Sequence, residues 1–117
     1  MDVGLAEFER LVGEALDSIP EELLDLIDNA IVIVVDEPPP GEPHLLGLYE
    51  GIPLTQRGHD YMGAHLLPDR ISIFRNPILR VCSTREQVVQ EVRVTVVHEV
   101  AHHFGIDDDR LHELGWG

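Results

Sequence analysis

Along the first twenty residues the apolar positions recur at helical spacing: Leu5, Phe8, Val12, Ala15 and Ile19 share one face, with Leu11 and Leu16 beside it. The spacing predicts a helix over about residues 4–17. Ser18 stands three residues before Glu21 with Pro20 between them, which predicts a second, short helix running to about Asn29. The period then changes. The run IVIVV, residues 31–35, is β-branched, brief and closed by the prolines of DEPPPGEP, and predicts a buried strand followed by an exposed loop. LLGLYEGIPL predicts a strand broken by Gly51 and Pro53, and the proline confines it to an edge or an end. TQRGHDYMGAHLLPD is rich in turn formers and predicts a surface loop. RISIF, residues 70–74, alternates as a third strand would, and NPILRVC predicts a short turn or helix.

The segment STREQVVQEVRVTVVHEVAHHFG carries two conflicting periods. Val92, Val94 and Val96 alternate with Arg93 and Thr95 as in a strand, yet Val88, Val89, Val92, Val96 and Val100 share one broad helical face. The ends decide in favour of a helix. Ser83 three residues before Glu86 makes a capping box, and Gly105 offers a left-handed stop. The interval from about 84 to 104 is also several times a strand's usual length, and as a helix it spans about 30 Å.

The chain of 117 residues is long enough for one compact core, and a single domain over residues 1–117 is expected. Apolar and charged fractions of 44% and 26% place it among folding globular chains. The formal net charge of -14 repels phosphate backbones and anionic lipid, so neither nucleic acid nor a membrane is an expected partner. The N-terminus has no secretory pattern, and the longest apolar run, Ala30 to Val35, is far too short for a bilayer. The single cysteine, Cys82, excludes an intrachain disulfide; with the absent leader it predicts a cytoplasmic protein.

The charged end of the long helix carries the chemistry. His98 and His102 lie one turn apart, so two imidazole nitrogens can converge on one ion. Glu99 lies about 100° around the helix from His98, near enough to act on a water without becoming a ligand. Hydrolytic zinc needs three protein ligands and an open position, so a third group must come from elsewhere. Gly105 can turn the chain back on itself, and Asp108 follows three residues later. The pattern is HExxHxxGxxD, with His98, Glu99, His102, Gly105 and Asp108 at its five fixed positions. Asp107 remains an alternative third ligand, and Asp107, Asp108 or Asp109 could instead cap a short helix at RLHEL.

HEVAHHFGIDD resembles the signature of the aspartate-type zincins. A short acidic chain with this motif near its end is similar to the bacterial mini-zincin, or zincin-like metallopeptidase, family. LYEGIPLTQR and PDRISIFRNPIL also resemble segments of that family, so the likeness covers most of residues 45–115. It implies an α+β minimal zincin core, a small mixed sheet of about three to four strands packed on two long helices, one bearing the active site. It implies one zinc ion held by His98, His102 and Asp108, with Glu99 as the catalytic base.

The resulting expectation is a zinc metallopeptidase that acts on a peptide or an unfolded protein segment as a monomer or homodimer. Its ligand histidines must be neutral, so metal affinity falls as pH drops below roughly 6. The alternative is a non-catalytic metal-binding or interaction module that keeps the site. Glu99 separates the two, since a structural site has no use for an unbound carboxylate beside an open position. His103 points about 100° away from His102, towards packing or solvent. His44, His59, His65 and His112 are isolated, and no spacing rule selects an oxyanion partner among Tyr49, Tyr61, Arg70 and Arg75. Metzincins carry a methionine turn after the third ligand; here none of the nine residues after Asp108 is methionine, Trp116 is the candidate for an apolar floor, and the strand near Tyr49 to Leu54 offers an edge for a peptide.

Overall fold

A computed structural model describes residues 1–27, 29–51 and 68–116 of the chain. Most of the loop expected over residues 55–69, the 52–54 end of the expected edge strand, and His59, Tyr61 and His65 lie outside the described residues.

The described elements are five helices and a three-stranded mixed sheet, an α+β arrangement. Helix α1, Leu5–Asp17, buries Phe8, Leu11, Val12 and Ala15, the predicted face, while Leu5 stays exposed. Ser18 does not open the next helix. Its hydroxyl donates to the Ala15 carbonyl at 2.7 Å and so closes α1. Helix α2, Glu21–Leu24, starts from Pro20 without a side-chain cap and passes into a 3-10 turn over Asp25–Ile27, shorter than the helix expected to Asn29.

Strand β1, Ala30–Val35, comes next, then β2, Gly47–Glu50, and β3, Asp69–Phe74, in the spatial order β1-β3-β2. The last strand inserts between the first two, parallel to β1 and antiparallel to β2. Here the expectation of a buried IVIVV strand is corrected. β1 pairs only with β3 among the described residues, and Ile31 and Val35 are exposed. A run of β-branched residues reports strand propensity without saying which faces are covered. The central strand β3 is the better covered: Ile71, Ser72, Ile73 and Phe74 are buried, while Arg70 near its start is exposed.

Helix α3, Arg75–Val81, leads into helix α4, Arg85–His103, whose 19 residues span about 28 Å. Its N-cap sits one residue later than Ser83 and Glu86 suggest: the Thr84 hydroxyl accepts from the Gln87 N–H at 3.1 Å, while the Gln87 side chain reaches back past the cap to accept from the Ser83 N–H at 2.6 Å. Val88, Val92, Val96, Val97 and Val100 are buried, and burial of each stabilises the fold by roughly 1.5–3 kcal/mol. This face packs on α1, and Arg85 ties the two helices at the surface by an ion pair to Glu7 at 2.7 Å. Helix α5, Asp108–Leu114, closes the chain and buries Leu111.

The placement of α4 against β2 sets up the site. A β-carbon at Gly47 would come 2.5 Å from Thr95 Cγ2 and 3.1 Å from the Ser72 carbonyl, so the Thr95 side chain of the helix lies directly against the strand's backbone there. Two residues along β2, Tyr49 meets the far end of the same helix. Among the described residues no helix is long and apolar enough to cross a membrane.

Candidate metal centre

The site is built on the last two turns of α4 and the bend beyond them. His98 and Glu99 are half-buried, and His102, one turn on, is exposed. The two imidazole rings lie with centroids 6.1 Å apart and planes inclined by 38°. Helix α4 then ends in a Schellman motif. Gly105, at φ 74°, donates its N–H to the His102 carbonyl at 3.2 Å, and Ile106 donates to the Ala101 carbonyl at 2.7 Å. A β-carbon at that φ would be strained, so glycine is what lets the helix stop and the chain reverse within three residues.

The three aspartates after the bend take different places. Asp107 is the N-cap of α5, its Oδ1 accepting from the Arg110 N–H at 2.8 Å. Asp108, the first residue of α5, has its Oδ1 3.9 Å from His102 Nε2. Its negative charge is also favoured at the start of that helix, where unpaired N–H groups leave a partial positive charge. The capping role left open between Asp107, Asp108 and Asp109 therefore falls to Asp107, and the carboxylate facing the histidine is that of Asp108.

Glu99 has an unusual electrostatic setting. Burial pushes its carboxyl above the ordinary value, and the opposing attraction of His102 and His98 does not cancel this. Desolvation penalises the charged form, so the group holds and takes up a proton more readily than a surface glutamate. Cys82, in contrast, is buried far along the chain with its thiol pushed up chiefly by burial, the setting of an inert packing residue.

Whether these residues suit zinc can be judged from their spacing. Two nitrogen or oxygen ligands on a tetrahedral zinc stand about 3.4 Å apart, and the His102–Asp108 separation of 3.9 Å exceeds that by a few tenths of an ångström. Among the described residues no three His, Cys, Asp or Glu side chains already enclose a common point. The donor set nevertheless fits in kind, two imidazoles and a carboxylate. The His102–Asp108 pair is also near in spacing, and both side chains are largely exposed, at 59% and 75%.

The remaining candidates lie elsewhere. Arg75 is engaged by Asp36 at 2.8 Å and by the Val3 carbonyl, and Arg70 by Glu50 at 3.4 Å. His44 and His112 are exposed, and Trp116 is half-buried against the core with its backbone N–H on the Leu111 carbonyl. Tyr49, for which spacing predicted no role, stacks on His103 with ring centroids 3.9 Å apart and planes inclined by 22°. Its hydroxyl donates to Asp69 Oδ2 at 2.9 Å. No local signal could have joined Tyr49 to a histidine 54 residues away; only the alternation of GLYE, which puts Tyr49 and Gly47 on the same side of β2, hinted at it.

Among curated proteins none matches this chain. Among solved structures, a conserved hypothetical protein from T. thermophilus is similar in fold, with a TM-score of 0.58 and 24% identity over 87% of this chain and 94% of the other. Residues 27–116, which include every element from β1 to α5, match the profile of the zincin-like metallopeptidases. The chain belongs to the zincin-like metallopeptidase family.

Proposed function

We propose that the protein is a zinc-dependent peptidase of the aspartate type, acting on a peptide or an unfolded protein segment, with His98, His102 and Asp108 as the metal ligands and Glu99 as the general base. The observation that carries this reading is the reversal at Gly105, which sets Asp108 Oδ1 3.9 Å from His102 Nε2 while Asp107 is consumed as a helix cap. When bound, zinc supplies Lewis acidity that activates water and polarises a carbonyl at neutral pH.

The chain's own residues do the rest. Glu99 takes a proton from the attacking water and delivers it to the leaving amine, and its burial, which raises its proton affinity, suits both transfers. The neighbouring imidazoles donate lone pairs and must be neutral to do so. Membership of the family and the half-buried Glu99 both favour catalysis over a metal-holding module, in which a desolvated, non-coordinating carboxylate would cost stability without return.

The test is a zinc-loaded preparation screened against a peptide library beside Glu99→Gln. The wild-type chain is expected to cleave, and the variant to retain metal while turnover falls by about 10²–10⁴-fold, the usual worth of a general base. Cleavage by Glu99→Gln at the wild-type rate would assign the activity to another group. A wild-type chain that binds zinc and cleaves nothing would favour the non-catalytic module.

A further inference from the structure

The last turn of α4 is gripped from the side by β2 through a small aromatic cluster that no sequence motif marks. Tyr49 stacks flat on His103 and meets the Phe104 ring edge-on, with centroids 6.1 Å apart and planes at 81°. His103 and Phe104 are themselves perpendicular, at 5.0 Å. Gly51 also approaches the imidazole: a β-carbon there would come within 3.2 Å of His103 Cε1. The strand and the residue just beyond it therefore hold the histidine with an aromatic plane and a glycine backbone. Tyr49 is in turn tethered to β3, because its hydroxyl reaches the Asp69 carboxylate at the strand's first residue.

This grip falls on an exposed turn beside the chain reversal. His102 is exposed, it precedes His103 directly, and the chain reverses two residues later at Gly105. The Schellman bonds to the Ala101 and His102 carbonyls close this turn through its own backbone, and the aromatic cluster ties it to a separate element, β2. Within this last turn Ala101, two residues before His103, is in the core, whereas His102, His103 and Phe104 are exposed. A stacked aromatic pair is worth about 0.5–1.5 kcal/mol beyond its buried area, enough to hold a single turn in one register.

We propose that Tyr49 is a positioning residue for the candidate metal centre: stacked on His103 and tethered to Asp69, it fixes the last turn of α4 and so holds His102 in register with Asp108. The assignment rests on the metal centre proposed above. Residues that orient metal ligands without touching the ion typically change affinity by about 10–100-fold when removed.

Cobalt(II) is the probe, because its visible absorption reports the coordination geometry and its titration the affinity, independently of turnover. Tyr49→Ala and His103→Ala are expected to bind cobalt at least about tenfold more weakly than the wild type, with an altered visible band at saturation. Tyr49→Phe, which keeps the stack and loses the tether, is expected to recover most of the affinity. If Tyr49→Ala does not fold, His103→Ala decides, since that residue is exposed. Folded alanine variants with wild-type affinity and spectrum overturn the assignment. So does a lowered metal-free melting temperature with an unchanged saturated spectrum, the mark of a merely structural contact. A wild-type chain that takes up no cobalt overturns the metal centre as well; wild-type binding that is lost in His98→Ala but unchanged in the Tyr49 and His103 variants overturns only this inference.

Discussion

Gly47 and Thr95 touch so closely that a single added β-carbon would stand 2.5 Å from Thr95 Cγ2. Strand β2 and helix α4 are thereby set at a distance only glycine permits, and the site at the end of α4 inherits that placement. Gly47→Ala is expected to destabilise the fold by roughly 1–3 kcal/mol, as overpacking of a well-filled interior does. In thermal melts this is a fall of the order of 5–15 °C for a chain of this size. Adding Thr95→Ser, which removes the clashing methyl, is expected to restore part of the loss. A Gly47→Ala variant that melts with the wild type would show that the two elements part freely.

Asp107 and Asp108 are adjacent and chemically identical, yet they are expected to behave oppositely. Asp107→Ala removes the N-cap of α5 and is expected to cost about 1 kcal/mol of stability. Asp108→Ala is expected to leave the melting temperature of the metal-free protein nearly unchanged. Its zinc affinity, by competition against a chromophoric chelator, is expected to fall by more than the roughly 10–100-fold typical of an outer partner. The reverse pattern would move the third ligand to Asp107.

The raised Glu99 carboxyl makes a prediction about pH. A carboxyl whose folded value stands above its unfolded one contributes stability that is complete below the unfolded value and disappears as pH rises through the folded value. At neutral pH and above, the wild type thus carries the cost of a desolvated charge that glutamine does not. With metal removed by chelator, Glu99→Gln is expected to melt higher than the wild type at about pH 8, on the order of a degree or two, with the gap closing towards about pH 4. Equal melting at both values would show that burial does not weigh on this group.

The Glu7–Arg85 pair works with the opposite sign. The hydrogen bond from Arg85 holds the Glu7 carboxyl below its ordinary value of 4.5. The link between α1 and α4 therefore contributes fully above that value and is lost as pH falls through the folded one. Glu7→Gln is expected to melt slightly below the wild type at about pH 7. The difference is expected to vanish at about pH 3 and to shrink in high salt, since both side chains meet solvent. A difference that persists in acid would assign it to packing.

Much of the fold was legible because its signals are local. The helix over Leu5–Asp17, the strand over Asp69–Phe74 and the long helix ending at Gly105 follow from periodicity and stop signals within a few residues of each other. The errors were local as well: Ser18 bonds backwards to Ala15 rather than forwards, and Thr84 with Gln87 displaces Ser83 with Glu86. Hydroxyl and carboxyl groups within one or two positions compete for the same backbone partners, and spacing alone does not choose between them. β1 read as buried because its composition is apolar, whereas its place at the end of the described strand order is a property of pairing.

The sequence by itself determined the spacing of His98, Glu99 and His102 on one helix, the glycine that ends it and the acid that follows, because helical geometry and a positive φ translate directly from residue order. The tertiary structure alone decided which aspartate caps α5, that Glu99 is desolvated, and that Tyr49 of β2 lies on His103. The cap is a choice among neighbouring carboxylates that spacing leaves open, whereas the burial of Glu99 and the stack on His103 depend on how separate segments settle against one another, as β2 does on α4 at Gly47 and Thr95.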